Sequence, residues 1–241
     1  MAAGTINAVV GSGTLVTFPT LLACGLPAVT ANVSNTVGLV PGSLSAAIGY
    51  RAELAGQRSR VVRLAYASCV GAVAGALLLL VLPASAFDAI VPVLIALGVL
   101  LVVFGPAISR RVAARAESRG GVPHHGVWWV WPAVLLAGVY GGYFGAAQGV
   151  LLMAILGIGV VDSMQRHNAT KNVLALVVNA VAALVFLFVS DVDWRAVALI
   201  AVGSVVGGQL GATVGRRLPP AVLRGVIVVV GVVAIVTLLL R

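Results

Sequence analysis

Charged residues are scarce in this chain of 241 residues. Only 9% of the residues are Asp, Glu, Lys or Arg, whereas a soluble domain carries about 25%. Cys24 and Cys69 stand singly in apolar runs, so we expect small buried packing residues rather than a disulfide or a metal site. Phosphate-binding loops, serine triads and paired carboxylates are also missing, which argues against ATP-driven transport and hydrolytic catalysis by this chain. We therefore expect no enzyme, no metal and no cofactor.

Apolar residues make up 61% of the chain, and the mean hydropathy is +1.15. An uncharged run of about 20 residues is long enough to cross a bilayer core of about 30 Å. The sequence predicts an all-α polytopic membrane protein with about eight apolar segments: 2–26, 31–49, 61–82, 89–109, 127–161, 170–189, 195–215 and 221–240. Residues 1–50 contain no Lys or Arg, so a cleavable signal peptide is not expected.

The net charge of +9 comes from arginines in short loops, which favours the positive-inside rule over nucleic-acid binding. The loops at 50–63 and 216–224 and the stretch 110–126 each carry a charge of +3 and are predicted to be cytoplasmic. The loop with Asp88 and the loop at 190–195, with a charge of −1, are predicted to be external. Equivalent loops of the two halves then face opposite sides, as in an inverted repeat. We divide the chain into repeat 1 (1–109), a basic cytoplasmic linker (110–126) and repeat 2 (127–241).

Two polar clusters interrupt the apolar segments at matching places in the two halves. Cluster 1 is Asn32-Val33-Ser34-Asn35-Thr36, and cluster 2 is Asn168-Ala169-Thr170-Lys171-Asn172, 136 positions later (32 to 168). The same offset, without a gap, aligns Gly13 with Gly149. Lys171 is the only lysine in the chain. Polar groups at membrane depth are costly and usually functional, so the clusters are candidates for a binding site.

An inverted repeat needs an odd number of crossings in each half, which four plain helices do not give. Glycines near the middle of the first and fifth segments predict that these two segments are broken or re-entrant. Non-helical backbone survives at this depth only where protein or a water-filled cavity covers it. The alternative is that the glycines only let neighbouring helices pack closely. Those predicted to open the backbone are Gly11, Gly13, Gly145 and Gly149.

A half-helix that begins at Gly13 or Gly149 would present free N–H groups and a partial positive charge to an anion. Side-chain donors from both clusters would complete such a site. The residues predicted to bind substrate are Ser12, Thr14, Asn32, Ser34, Asn35, Gln148, Asn168, Thr170, Lys171 and Asn172. Helix capping is the alternative for the asparagines, and a lysine reaching to the membrane interface is the alternative for Lys171. Asp162 is either a cap of the sixth segment or a proton-coupling group.

These motifs resemble the TauE/SafE sulfite exporter (TSUP) family. In the first half the resemblance lies in Gly11-Ser12-Gly13-Thr14-Leu15, Gly25-Leu26-Pro27 and the asparagine-rich stretch 31–35. In the second half it lies in the stretches 144–152 and 166–172. The resemblance covers nearly the whole chain. It implies a plasma-membrane secondary transporter for sulfite, sulfoacetate or a related organosulfur anion.

The leading hypothesis is therefore a multi-pass secondary transporter of a small anion in the cell membrane. An anion channel or facilitator without coupling, and a non-transporting scaffold subunit, are the alternatives. The expected partners are a small anionic substrate, the lipid bilayer and a coupling proton or ion, without nucleic acid. A monomer and a homo-oligomer both stay open.

Overall fold

In the computed structural model, which describes residues 1–117, 126–213 and 220–239, every regular element is a helix. The α-helices are α1 (Ala2–Val9), α2 (Thr14–Ala23), α3 (Ala28–Gly49), α4 (Arg58–Val81), α5 (Ala84–Glu117), α6 (Val130–Tyr143), α7 (Gln148–Gly159), α8 (Met164–Val189), α9 (Trp194–Thr213) and α10 (Pro220–Leu239). A short 3-10 helix, Arg51–Leu54, joins α3 to α4. The prediction of an all-α membrane protein is confirmed.

Each predicted apolar segment corresponds to one helix or to one pair of half-helices. The first segment is α1 and α2, and the fifth is α6 and α7. The fourth segment continues beyond Ser109, because α5 reaches Glu117 and takes in the first part of the predicted linker. Linker residues 118–125 lie outside the described residues, and the division of the chain into repeats and linker stays a prediction. Among the described helices, α4, α5 (over 84–104), α8 and α9 are long and apolar enough to cross a membrane.

The second broken segment is a re-entrant helical hairpin, here called hairpin 2 (α6 and α7). The N–H of Val127, just before α6, donates to the carbonyl of Gly159 at the end of α7, with an N···O distance of 3.0 Å. The chain therefore leaves the hairpin at the end where it entered. The turn between the half-helices, tip 2 (residues 144–147), contains Gly145 with a φ of +76° and Ala147 with a φ of +59°.

The first broken segment, hairpin 1 (α1 and α2), has the same construction. Its turn, tip 1 (residues 10–13), contains Gly11 with a φ of +80°. The chain then folds back on α1, since the Gly13 N–H donates to Asn7 Oδ1 at 3.4 Å. Both segments are thus broken, and both re-enter. Cys24, directly after α2, is exposed, so the expectation of a buried cysteine is wrong there.

The two halves pack on each other as a pseudo-two-fold pair. Helix α1 packs on α9 as α6 packs on α4, and α3 packs on α9 as α8 packs on α4. Helix α2 packs on α10 as α7 packs on α5. Helices α3 and α8 cross at the axis, where Asn179 Nδ2 donates to Ser43 Oγ at 3.1 Å. These two residues are themselves 136 positions apart.

The repeats are inverted because α3 and α8 run antiparallel. Tyr50, which follows α3, packs with Ala169 near the start of α8. At the other end, Ser34 of α3 accepts a hydrogen bond at 2.9 Å from the N–H of Asp193, which follows α8. Hairpin 1 and hairpin 2 therefore enter the bundle from opposite ends.

The ends of the bundle differ in charge. Where α3 ends and α4 and α8 begin, the chain carries Arg51, Arg58, Arg60, Arg63 and Arg166, and we call this the basic end. Where α3, α5 and α9 begin, it carries Asp88, Asp191 and Asp193 against one cation, Arg195, and we call this the acidic end. The basic loops and the acidic loops thus lie at opposite ends of the bundle, as the loop charges predicted. By the positive-inside rule, the basic end is expected to face the cytoplasm.

The gapless match of the halves is wrong around the tips. Gly11 and Gly145 hold equivalent left-handed positions, which are 134 rather than 136 apart. Helix α7 has 12 residues and α2 has 10, so the offset returns to 136 at Asn32 and Asn168. Thr14 is thus the structural equivalent of Gln148, since each begins the second half-helix.

Small residues let the helices of different repeats approach closely. A Cβ on Gly71 of α4 would lie 2.2 Å from the Leu135 carbonyl oxygen of α6. In the equivalent pair, a Cβ on Gly207 of α9 would lie 2.2 Å from the Met1 carbonyl oxygen. The sequence offered close packing through small residues as an alternative to broken helices. The structure contains both the close packing and the helix breaks.

We predict that Gly71→Ala destabilises the fold by about 1–3 kcal/mol, because the added methyl group meets backbone that cannot move away. The measurement is the thermal unfolding midpoint of the purified protein in detergent. Gly157→Ala is the matched control, since a Cβ at this helical glycine has no neighbour within 4 Å. Equal midpoints for the two variants would contradict the described packing of α4 on α6.

Candidate functional site

All of the residues predicted to bind substrate lie in the interior. Each is at most 7% exposed: Ser12, Thr14, Asn32, Ser34, Asn35, Gln148, Asn168, Thr170, Lys171 and Asn172. Asn32 and Asn168 are each the fifth residue of their helix, while the N-caps are Pro27 and Ser163. Capping does not explain the two asparagines, so that alternative is wrong. Whether these residues bind substrate stays a prediction.

The two hairpins meet at their tips. The N–H of Gly149, in the first turn of α7, donates to the Gly11 carbonyl at 3.0 Å. A Cβ on Gly11 would lie only 2.3 Å from the Gly149 Cα, so no side chain fits between the two backbones. Glycine is required at Gly11 both for this approach and for its positive φ. The broken backbone of both repeats therefore comes together inside the bundle.

Lys171 lies at the end of α1, directly before tip 1. Its side chain is 0% exposed, and Nζ donates to the carbonyls of Ala8 at 3.0 Å and Asn7 at 3.5 Å. Asn172 Nδ2 donates to the same Ala8 carbonyl at 3.3 Å. The last carbonyls of a helix carry a partial negative charge that favours a cation. A lysine reaching to the membrane interface is therefore the wrong interpretation.

The ammonium of Lys171 has no anionic partner in the described part of the chain. Both salt bridges found there involve Asp162, at the basic end. A charge buried at membrane depth is costly unless it is paired or hydrogen-bonded. Two carbonyl groups satisfy two of the three ammonium donors, which leaves capacity for an anion beside tip 1.

Side chains of cluster 1 form hydrogen bonds with the helix ends next to both tips. Asn35 Nδ2 donates to Thr14 Oγ1 at 3.2 Å, and Asn35 Oδ1 accepts from Thr17 Oγ1. Asn32 Nδ2 donates at 2.9 Å to the carbonyl of Tyr143, the last residue of α6. Cluster 1 thus binds the start of α2 and the end of α6, while cluster 2 binds the end of α1.

Other predicted residues make contacts away from the tip contact. Ser34 accepts from the Asp193 N–H, and Thr170 Oγ1 donates to Gln57 Oε1 at 3.2 Å. Gln57 and Asp193 are equivalent positions directly before α4 and α9, so the two bonds form a symmetric pair. Gln148 Nε2 donates to the Ala137 carbonyl of α6 at 3.3 Å. These three side chains stabilise the hairpins and helix starts in this conformation.

Three of the predicted residues keep a buried oxygen without a hydrogen-bond partner among the described residues. They are Ser12 Oγ in tip 1, Asn32 Oδ1 and Asn168 Oδ1. Buried polar atoms are nearly always paired, so these atoms can bind water or a ligand. The Ser12 hydroxyl can donate or accept, whereas the two asparagine oxygens can only accept. The backbone N–H groups that begin α7 are occupied. The Gln148 N–H donates to the Gly145 carbonyl, and the Gly149 N–H donates to the Gly11 carbonyl. An anion can reach the N-terminus of α7 only if the tips separate.

Aromatic side chains fill the space between the tips and the acidic end. Phe144 of tip 2 packs edge-to-face on Phe18 of α2, with a centroid distance of 5.0 Å. Phe87, near the start of α5, packs on Phe144 at 6.0 Å and on Tyr143 at 5.6 Å. These rings close the acidic side of the tips.

Some interior polar residues were not foreseen. Asn7 caps the Gly13 N–H, and Asn179 with Ser43 marks the pseudo-two-fold axis. Each is a polar residue within an apolar segment, which is the signal that identified the two clusters.

In the described residues, no group of three His, Cys, Asp or Glu side chains is placed to hold a metal ion.

Comparison with known proteins identifies similar chains. The model of the family described as "Sulfite exporter TauE/SafE" matches residues 1–238. A "Probable membrane transporter protein ORF9" from Sinorhizobium sp. is 28% identical over 247 aligned residues, covering 98% of this chain and 88% of that protein. The "Probable membrane transporter protein YfcA" of Escherichia coli K12 is 26% identical, covering 97% and 84%. No solved structure matches the chain.

We predict that Gly11→Ala lowers stability more than Gly25→Ala. Both glycines have a positive φ, which costs about 1–2 kcal/mol for alanine, but a Cβ on Gly25 meets no atom within 4 Å. The methyl group at Gly11 adds about 1–3 kcal/mol through the clash with Gly149. Thermal midpoints in detergent measure the difference. Equal losses would show that the tips are not in contact.

Proposed function

Because the chain belongs to the sulfite exporter TauE/SafE family, whose relatives are named membrane transporters, we propose that it carries a small anion across the membrane by secondary transport. The proposed substrate is sulfite, sulfoacetate or a related organosulfur anion. The proposed location is the plasma membrane, with the basic end in the cytoplasm. A proton or another ion is the proposed coupling partner.

The observation that carries the proposal is the buried ammonium of Lys171. It lies beside the contact between the two hairpins, it is 0% exposed, and no carboxylate in the described residues lies within 4 Å of it. An interior cation of this kind attracts a negatively charged ligand and rejects a positively charged one. Binding of an anion would give this costly group a use beyond its hydrogen bonds to the end of α1.

The donors around the tips fit an oxyanion. Lys171 Nζ and Asn172 Nδ2 both reach the Ala8 carbonyl directly before tip 1, and Ser12 Oγ in tip 1 has no hydrogen-bond partner among the described residues. Sulfite and sulfonates present several oxygen acceptors on one small group, which amide, hydroxyl and ammonium donors can bind together. Part of this donor set is engaged in contacts between the hairpins, so binding would replace those contacts with contacts to substrate.

The inverted hairpins supply a route to alternating access. The two hairpins enter the bundle from opposite ends, and their tips are joined by the hydrogen bond from the Gly149 N–H to the Gly11 carbonyl. In inverted-repeat transporters the substrate site lies at the repeat interface near the middle of the membrane, between broken helices. Separation of the tips would free the N-terminus of α7 for the anion, and movement of one hairpin at a time would expose it to one side only.

We predict that proteoliposomes containing the wild-type protein take up labelled sulfite, and that Lys171→Gln lowers this flux by about tenfold or more. The loss of one charge-assisted hydrogen bond to a buried anion has about this effect. Arg195→Gln removes an exposed cation at the acidic end and should leave the flux unchanged. Undiminished sulfite flux in Lys171→Gln would remove Lys171 from the mechanism.

Two further measurements distinguish the secondary transporter from the channel and from the scaffold subunit. Accumulation of sulfite against its gradient, driven by an imposed pH difference, is expected of a secondary transporter, whereas a channel gives downhill flux only. Neither flux nor ligand-induced stabilisation across a panel of sulfur and carboxylate anions would favour a scaffold subunit. Thermal midpoints of both variants in detergent check that they are folded.

A further inference from the structure

A polar cavity of about 340 Å³ lies at the basic end, away from the tips. It is bounded by the start of α4 and by the turn between α7 and α8, and we call it the basic-end cavity. Its lining residues are Gly56, Gln57, Ser59, Arg60, Val161, Asp162 and Arg166. Gly56, Ser59 and Val161 form an exposed rim, while Gln57 and Arg60 lie buried below it. The volume is within the range of small-molecule sites.

Two guanidinium groups in this cavity share one carboxylate. Asp162 Oδ2 accepts from Arg60 Nη2, and Asp162 Oδ1 lies 2.6 Å from Arg166 Nε. The lining side chains therefore carry two positive charges and one negative charge. Partial burial raises the pKa of Asp162, but hydrogen bonds from Arg60, Arg166 and the Ser163 N–H outweigh it and place the pKa below its usual value. Asp162 is thus a bound anion supplied by the chain itself.

The two arginines differ in how firmly they are held. Arg60 is 8% exposed at its side chain and also donates to Gln57 Oε1. Arg166 is 34% exposed, and its Nη1 donates to the Ala55 carbonyl at 3.1 Å. Guanidinium groups bind planar or tetrahedral oxyanions through paired N–H donors. An oxyanion from solution can therefore approach Arg166 first.

The floor of the cavity leads to cluster 2. Gln57 Oε1 accepts from Thr170 Oγ1, and Thr170 precedes Lys171 in α8. The cavity thus lies on the way from the basic end to the proposed central site. The three charged groups of this cavity are not repeated in the other half, because the equivalents of Arg60, Asp162 and Arg166 at an offset of 136 are Ala196, Leu26 and Thr30.

We propose that the basic-end cavity is a second anion site, in which a small oxyanion binds Arg60 and Arg166 in the place now held by the Asp162 carboxylate. The site serves as the entry or exit station on one side only. The identity of the anion rests on the proposed function, but the site itself does not. Asp162 sets its affinity by competing with the ligand for both arginines.

The test is binding of sodium sulfite to the purified protein in detergent, by calorimetry and by thermal shift, in the Lys171→Gln background. That background removes the central ammonium, so the remaining binding reports the cavity. Asp162→Asn is expected to tighten sulfite binding about tenfold, because the neutral amide no longer competes as a charge. Arg166→Gln is expected to weaken it about tenfold, with Arg195→Gln as the matched control without effect.

Equal sulfite affinities in Arg166→Gln and Arg195→Gln would overturn the proposal. If Asp162→Asn does not fold, Arg166→Lys decides, since it keeps the charge but loses the paired donors and should bind more weakly than the parent. Flux measured on the same variants without the Lys171 change separates the two proposals. Sulfite flux that the Asp162 and Arg166 variants leave unchanged overturns this inference alone. Sulfite binding at the cavity without any sulfite flux overturns the proposed function alone.

Discussion

The hydrogen bond between the Gly149 N–H and the Gly11 carbonyl satisfies backbone that would otherwise be bare inside a membrane. Hydrocarbon offers no partner to a peptide group, so an interrupted helix at this depth must find its partners in the protein. Here each tip supplies that cover for the other. The close approach depends on glycine at both positions, and the positive φ of Gly11 turns the chain so that α2 can return to its own end.

The remaining packing keeps the tips in register. Each hairpin packs its first half-helix on a long helix of the other repeat, α1 on α9 and α6 on α4, through glycine contacts that leave no room for a methyl group. The polar clusters then fasten the tips from both sides, with Lys171 and Asn172 at the end of α1 and Asn35 at the start of α2. The polar residues that suit an anion also replace the helical bonds lost at the breaks.

Much of this arrangement could be predicted from the sequence, because membrane depth penalises every polar residue that has no purpose. The clusters, the broken segments and the inversion all follow from where polar groups, glycines and loop charges stand. The exact equivalence of the tips did not follow, since Gly13 and Gly149 resemble each other in sequence while the two additional residues of α7 shift the true match to Gly11 and Gly145. The Arg60–Asp162 pair joins residues 102 positions apart across the two repeats, and only the packing of α8 on α4 brings them together.

The tip contact also has an electrical meaning. A membrane voltage falls mainly across the layer that water does not fill, and moving one charge through 100 mV is worth about 2.3 kcal/mol. The basic-end cavity reaches Gln57, directly before α4, and on the other side of the tips the aromatic rings around Phe144 pack against them. The tips and the rings are packed protein, so they belong to the layer across which the voltage falls. An anion that moves past them with a net charge would therefore be driven by the membrane potential as well as by its own gradient.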